Sequence, residues 1–212
     1  RAVPQKSPVS ALEGIKMYLD KNTLELTGYD LELGIQTKIQ VDSEDHGEFT
    51  VNAKLFAEII RKMPSEDVSV EINDKLKATI KGGDAEYNIL ALSADDYPSM
   101  PDYDTSDSIT ISQGLLKNMI GQTIFAVSVS DNKPILTGEL FDIENGIFNL
   151  VAIDGFRLAV RTEKLNTEDR HHFVVKAKAL SEVSKLLKDD GDEPVNMYLS
   201  RKHIVFDING YM

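Results

Sequence analysis

The 212-residue sequence contains no cysteine, which excludes a disulfide framework, a thiolate metal site and a cysteine nucleophile. No apolar run approaches the roughly 18 residues of a membrane span, and no basic-then-apolar leader opens the chain, so a cytoplasmic setting is expected. Catalytic signatures are missing too: there is no HExxH, no GxSxG and no phosphate-cradling glycine loop. His171 and His172 are adjacent, which points them apart in an extended segment, and His46 and His203 lack a partner at metal-ligand spacing. No catalytic residue, metal or cofactor is expected. Positive charge is scarce: 23 Lys and Arg stand against 35 Asp and Glu, a net of -12. At face value that opposes a nucleic-acid partner, because phosphate binding relies on cationic side chains.

What is present is a globular composition, 42% hydrophobic and 27% charged, in a chain long enough for one or two domains. The chain also repeats itself. LELTGYDLELGI (24–35) lies over FNLVAIDGFRLAV (148–160), pairing Leu24 with Phe148, Leu26 with Leu150 and Asp30 with Asp154 at an offset of 124. FTVNAKLFAEIIRKM (49–63) lies over FVVKAKALSEVSKLL (173–187) at the same 124-residue offset, matching Lys54 with Lys178 and Glu58 with Glu182. So long a period implies a duplicated domain rather than a solenoid. Copy two opens with a strand and helix (108–128) that copy one lacks, and copy one closes on a strand (85–100) without a counterpart, so both ends are expected to be cut.

Periodicity within each copy is mixed. Leu55, Phe56, Ile59, Ile60 and Met63 share one helical face, as do Ala179, Leu180, Val183, Leu186 and Leu187, and Leu115, Leu116, Met119 and Ile120 form a third stripe. VSVEI, LKATI, ELFDI, VNMYL and IVFDI alternate as short strands between turns such as Asn73-Asp74 and Asn145-Gly146. An α+β fold follows, with amphipathic helices on antiparallel sheets. The three helices (53–63, 112–123, 177–188) carry seven Lys or Arg against two Glu, leaving a net of -17 on everything else. Salt screens over roughly 8 Å, so a partner on a helix face responds to that face more than to the whole chain. The acidic stretch SADDYPSMPDYDTSD (93–107) reads as an extended connector between domains 1–103 and 104–212; Asp95, Asp96 and Asp102 on a metal would make a hydrolase the competing reading. LVAIDGFRLAV (150–160) reads first as a hairpin, since glycine supplies the positive φ of a tight turn.

LTGYDLEL, FTVNAKLFAEIIRKMP, LSADDYPSMP, LLKNMIGQTIFAVS, KPILTGELF and AIDGFRLAV, in this order, resemble the bacterial DNA polymerase III beta subunit, the replicative sliding clamp. The resemblance implies a DNA-clamp fold: duplicated domains with sheets outside and helices on an inner face, the third domain absent. It implies a non-catalytic processivity factor whose full-length chains pair head to tail around duplex DNA. By it, Lys6, Lys54, Arg61, Lys117, Lys178 and Lys185, with Ser130, Lys133, Pro134 and Ile135 of one loop, would face DNA. Leu136, Ile153, Gly155, Phe156, Arg157 and Leu158 would wall a groove for short peptides of the polymerase, clamp loader and repair proteins. Tyr87 and Ile89 match an edge strand at the dimer interface. The alternative is a scaffold of duplicated α+β domains that binds protein without nucleic acid.

Overall fold

The computed structural model describes residues 2–4, 6–130, 132–189, 191–200 and 202–212. The chain forms two compact units, Arg1–Pro101 with Gly210–Met212, and Asp102–Asn209.

In unit 1, β1 (Gly14–Asp20), β2 (Thr23–Tyr29), β3 (Gly34–Gln40) and β4 (His46–Asn52) precede α1 (Ala53–Lys62), and β5 (Ser69–Ile72), β6 (Lys77–Gly82) and β7 (Ala85–Ser93) follow it. Every pairing is antiparallel and the strand order is β3-β2-β1-β4-β7-β6-β5. Alternate residues fall on one face, so Met17, Val51, Ile80, Ile89 and Ala91 meet Ile59 of α1 in a core. Asn52 caps α1, its Oδ1 accepting from Leu55 N at 3.0 Å, and Pro64 follows the C-cap residue Met63.

Unit 2 comprises β8 (Ser108–Ser112), α2 (Gln113–Thr123), β9 (Gly138–Glu144), β10 (Ile147–Ile153), β11 (Leu158–Lys164), β12 (His171–Lys176), α3 (Ala177–Leu186), β13 (Pro194–Leu199) and β14 (Ile204–Asp207). Its sheets run β11-β10-β9-β12 and β14-β13-β8. Between them lies a larger core in which Leu116, Met119, Ile120, Leu180 and Val183 meet Phe141, Phe148 and Met197. Gln113 is buried at the start of α2: its Nε2 donates to Pro194 O and Asn209 Oδ1 while its Oε1 accepts from Lys188 N.

The duplication is visible in the elements. β1 and β9, β2 and β10, β3 and β11, and α1 and α3 begin 124 residues apart, as do the one-turn 3-10 segments Ser10–Glu13 and Pro134–Thr137. Gly210–Met212 groups with unit 1, Gln36 and Met212 exchanging backbone hydrogen bonds at 2.9 Å in each direction. Two expectations need correction. Residues 94–100 are no free connector: Tyr97 is buried, and its hydroxyl donates to Thr27 O. α3 ends at Leu186, which leaves Lys188 outside it, paired with Glu193 at 2.6 Å.

Candidate functional site

The cationic helix faces are built the same way twice. Ile59 turns α1 into the core while Lys54, Glu58, Arg61 and Lys62 stay exposed. In α3, Leu180 and Val183 do the inward packing, and Lys178 and Lys185 are exposed at the positions of Lys54 and Arg61. Residues seven apart share a helix face, so each pair makes one cationic strip with a glutamate between. Lys185 donates to Glu182 at 2.7 Å, a bond that lowers the Glu182 pKa. Among the described residues Lys54, Arg61 and Lys62 make no ion pair, whereas Lys16, Lys38 and Lys81 on the strands each meet a glutamate. Lys117 departs from expectation. It is half-buried, its Nζ donating to Leu187 O at 2.9 Å and pairing with Asp189 at 2.8 Å, so its charge ties α2 to the end of α3. Lys6, Ser130, Lys133, Pro134 and Ile135 are exposed; Asp131 of the same loop lies outside the described residues.

The β10-β11 hairpin is made by Asp154. Its Oδ1 accepts from Phe156 N at 3.0 Å and Arg157 N at 3.1 Å, and its Oδ2 takes Arg157 Nε at 2.8 Å. Those bonds, the Phe156 amide foremost, hold its pKa below the usual carboxylate range. Gly155 has φ 94, and Asp30 caps the β2-β3 hairpin in the same way, through Glu32 N and Leu33 N. The turn throws Phe156 fully into solvent, with Ile153 and Leu158 exposed beside it and Leu136 half-buried. The Arg157 guanidinium lies 5.5 Å from the Phe125 ring centre. Sequence reasoning missed Phe125, since an aromatic just past an amphipathic helix reads as core, yet it is 57% exposed. Gly155 is the open point of the loop, with no atom within 4 Å of where a Cβ would stand.

Of the expected interface pair, Tyr87 is exposed but Ile89 is a core residue. β7 is also not an edge along its whole length: β6 pairs with Ala85–Leu90, and β4 with Ala91–Ser93 on the other flank. Among the described residues no group of three or more His, Asp or Glu could hold a metal, and no helix is long and apolar enough to cross a membrane.

Residues 1–101 match the family model for the DNA polymerase III beta subunit, N-terminal domain, and residues 110–212 match that for its central domain. The chain belongs to the DNA polymerase III beta subunit family. It is 31% identical to the beta sliding clamp of Halalkalibacterium halodurans over 100% of this chain and 59% of that one. Against the beta sliding clamp of Bacillus subtilis it is 35% identical over 97% of this chain and 57% of that one. Among solved structures, a DNA polymerase III beta subunit from Eubacterium rectale superposes with a TM-score of 0.95 at 37% identity, covering 99% of this chain and 58% of that one. A Pseudomonas aeruginosa sliding clamp bound to griselimycin gives a TM-score of 0.89 at 28% identity, with coverage of 99% and 57%. The fold of the beta subunit family is thus shared throughout, and the chain spans under three fifths of the length of these relatives.

Proposed function

We propose that the protein is a DNA sliding clamp, the non-catalytic processivity subunit of a replicative DNA polymerase acting in the cytoplasm. At full length it carries a third domain, and two chains close head to tail around duplex DNA, with β7 and Tyr87 at the joint. One observation carries the reading: the exposed cations of α1 recur at the same positions on α3 in a chain of net charge -12. Cations facing phosphate without reading bases hold a duplex in any sequence, and weak contacts let it slide while closure of the ring retains it. The acidic remainder discourages DNA from binding elsewhere. Lys6, Ser130 and Lys133 add polar contacts from loops, while Pro134 and Ile135 offer apolar ones. Lys117 contributes field more than contact, because its ammonium is already paired with Asp189.

Partner proteins dock in the groove of Leu136, Ile153, Gly155, Phe156, Arg157 and Leu158. Leu136 and Leu158 take apolar side chains, Gly155 permits backbone approach, and Arg157 covers an aromatic. The groove occurs once per chain, since Leu33 stands where unit 2 has Arg157. Reversing Lys54, Arg61 and Lys178 to Glu in the full-length, ring-forming chain tests the DNA reading. Loading onto primed DNA should be lost and the salt slope of binding should shrink by about 0.9 for each phosphate contact removed. Undiminished loading would leave the protein-only scaffold as the better account. A Leu/Phe-rich polymerase tail peptide should bind the groove, and Arg157→Ala with Leu158→Ala should weaken it.

A further inference from the structure

The two aspartate-capped hairpins are made alike and finished differently. In unit 1, Asp30 Oδ1 accepts from Glu32 N at 3.0 Å and Leu33 N at 2.7 Å, and the residue that completes the turn is apolar. In unit 2, Asp154 Oδ1 makes the same pair of bonds to Phe156 N and Arg157 N, so the turn itself asks nothing of the Arg157 side chain. That side chain is nevertheless held twice. Its Nε donates to Asp154 Oδ2 at 2.8 Å, and its guanidinium carbon lies over the Phe125 ring, 5.5 Å from the centre. Phe125 is 57% exposed, so most of its surface is left out of the core. Its backbone is fixed all the same. Thr123 and Ala126 on either side are buried, Ile124 packs against the core of unit 2, and Ser128 N donates to Leu136 O at 2.8 Å. Phe125 is thus an outward-facing aromatic on a well-anchored 3-10 turn, Ile124–Ala126, placed beside Arg157.

We propose that Phe125 is a positioning residue for the peptide groove: together with Asp154 it holds the Arg157 guanidinium in one orientation, and it thereby gives the groove a preference for an aromatic over an aliphatic peptide side chain at Arg157. This rests on the reading above that the groove binds peptides. A free arginine side chain is rotamer-rich and loses affinity when binding must order it; one already ordered meets its partner without that loss. With Nε on Asp154 and one side on Phe125, Arg157 keeps its two terminal amino groups and its far side for the peptide, and 56% of its side chain is open to solvent. An aromatic ring laid on the far side completes a stack of ring, guanidinium and ring, in which the cation is attracted to both π faces. A leucine there gains contact area alone. Asp154 already balances the Arg157 charge, so an uncharged ring suits the site better than a carboxylate, which would be repelled by Asp154. Unit 1 has no equivalent, since Leu33 stands in place of Arg157.

The test has two readouts. In isotope-labelled protein of residues 1–212, the Arg157 Nε–H resonance should carry a ring-current shift and exchange slowly with water; Phe125→Leu should remove the shift and speed the exchange, and Phe125→Tyr should preserve both. In the full-length chain, a Leu/Phe-rich polymerase tail peptide should bind about two- to fivefold more tightly than the same peptide with its phenylalanine replaced by leucine. Phe125→Leu should abolish that preference and Phe125→Tyr should keep it. A ring-fluorinated phenylalanine at position 125, which retains the shape while draining the π face, should behave like leucine. An Arg157 exchange rate unchanged by Phe125→Leu, or an aromatic preference that survives it, would overturn the proposal. If neither peptide binds the parent chain, the groove reading falls separately, and the Arg157 signal alone decides the positioning.

Discussion

Glu139 is the most informative residue to perturb. It follows Gly138 at the start of β9, aligned with Val175 of β12, and its side chain lies on the same face as the core residues Phe141 and Ile143. It is fully buried and neither carboxyl oxygen has a hydrogen-bond partner among the described residues. Burial pushes its pKa from an ordinary 4.5 up to about 7; the nearby Thr123 hydroxyl offsets little of this because it donates to Met119 O at 2.8 Å. Below pH 4.5 the group is protonated in the folded and unfolded chain alike, and burial of the charge costs nothing. Above that, the unfolded chain releases a proton that the folded chain keeps, so stability falls as pH rises, levelling off once the folded group ionises near 7. At about 1.36 kcal/mol per pH unit the whole loss is about 3 kcal/mol. Glu139→Gln keeps the shape and removes the titration; Glu139→Ile installs the residue of the unit 1 counterpart, Ile15. Urea unfolding at pH 4 to 8, read by hydrogen exchange of unit 2 amides such as Phe141 and Leu150, should show both variants gaining on the parent by about 3 kcal/mol over that range. Identical pH slopes in parent and Gln variant would refute the assignment of a neutral buried carboxyl.

Asn52→Ala should cost unit 1 about 1 kcal/mol by leaving Leu55 N without its acceptor, measured as a lower midpoint of thermal unfolding. Gly138→Ala and Gly121→Ala should act in opposite directions. A Cβ at Gly138 would stand 2.5 Å from Val175 O, so overpacking should cost about 1–3 kcal/mol. One at Gly121 meets nothing within 4 Å inside α2 and should stabilise by about 0.5–1 kcal/mol in the same urea assay. Asp154→Ala should loosen the turn that presents Phe156 and Arg157, weakening groove-peptide binding measured by calorimetry. Because the folded-state pKa of Asp154 is depressed, its hold on the turn is present above the unfolded carboxylate range and is lost only as pH falls through the lower folded value.

Much of this molecule was legible without coordinates because it is local. The apolar stripes at 55–63, 115–120 and 179–187 carry their own 3.6-residue period, and alternation in 139–143 or 195–199 carries a period of two. Asp154-Gly155 was readable as a turn because Asp accepts from the amides that follow it and glycine takes positive φ. The residues of the proposed groove were reached through family resemblance; their exposure was not readable from sequence, since Leu158 and Phe156 look like any other strand-flanking apolar residues.

What the sequence determined by itself, then, is whatever a period or a repeat encodes: two copies of one α+β plan, the order of elements, and cations gathered on helices. Tertiary structure alone decided the fate of single groups whose partners are distant in the chain. Lys117 meets Asp189, Gln113 meets Pro194 and Asn209, Tyr97 reaches Thr27, and Met212 pairs with Gln36 across separations that no local pattern records. The same holds for burial. Ile89 and Tyr87 share a strand face and differ in exposure, and Glu139 looks like a surface glutamate until β12 and α2 close over it. Desolvation is a property of everything packed around a group, so only the folded arrangement fixes which charge is free to meet a partner and which is held inside.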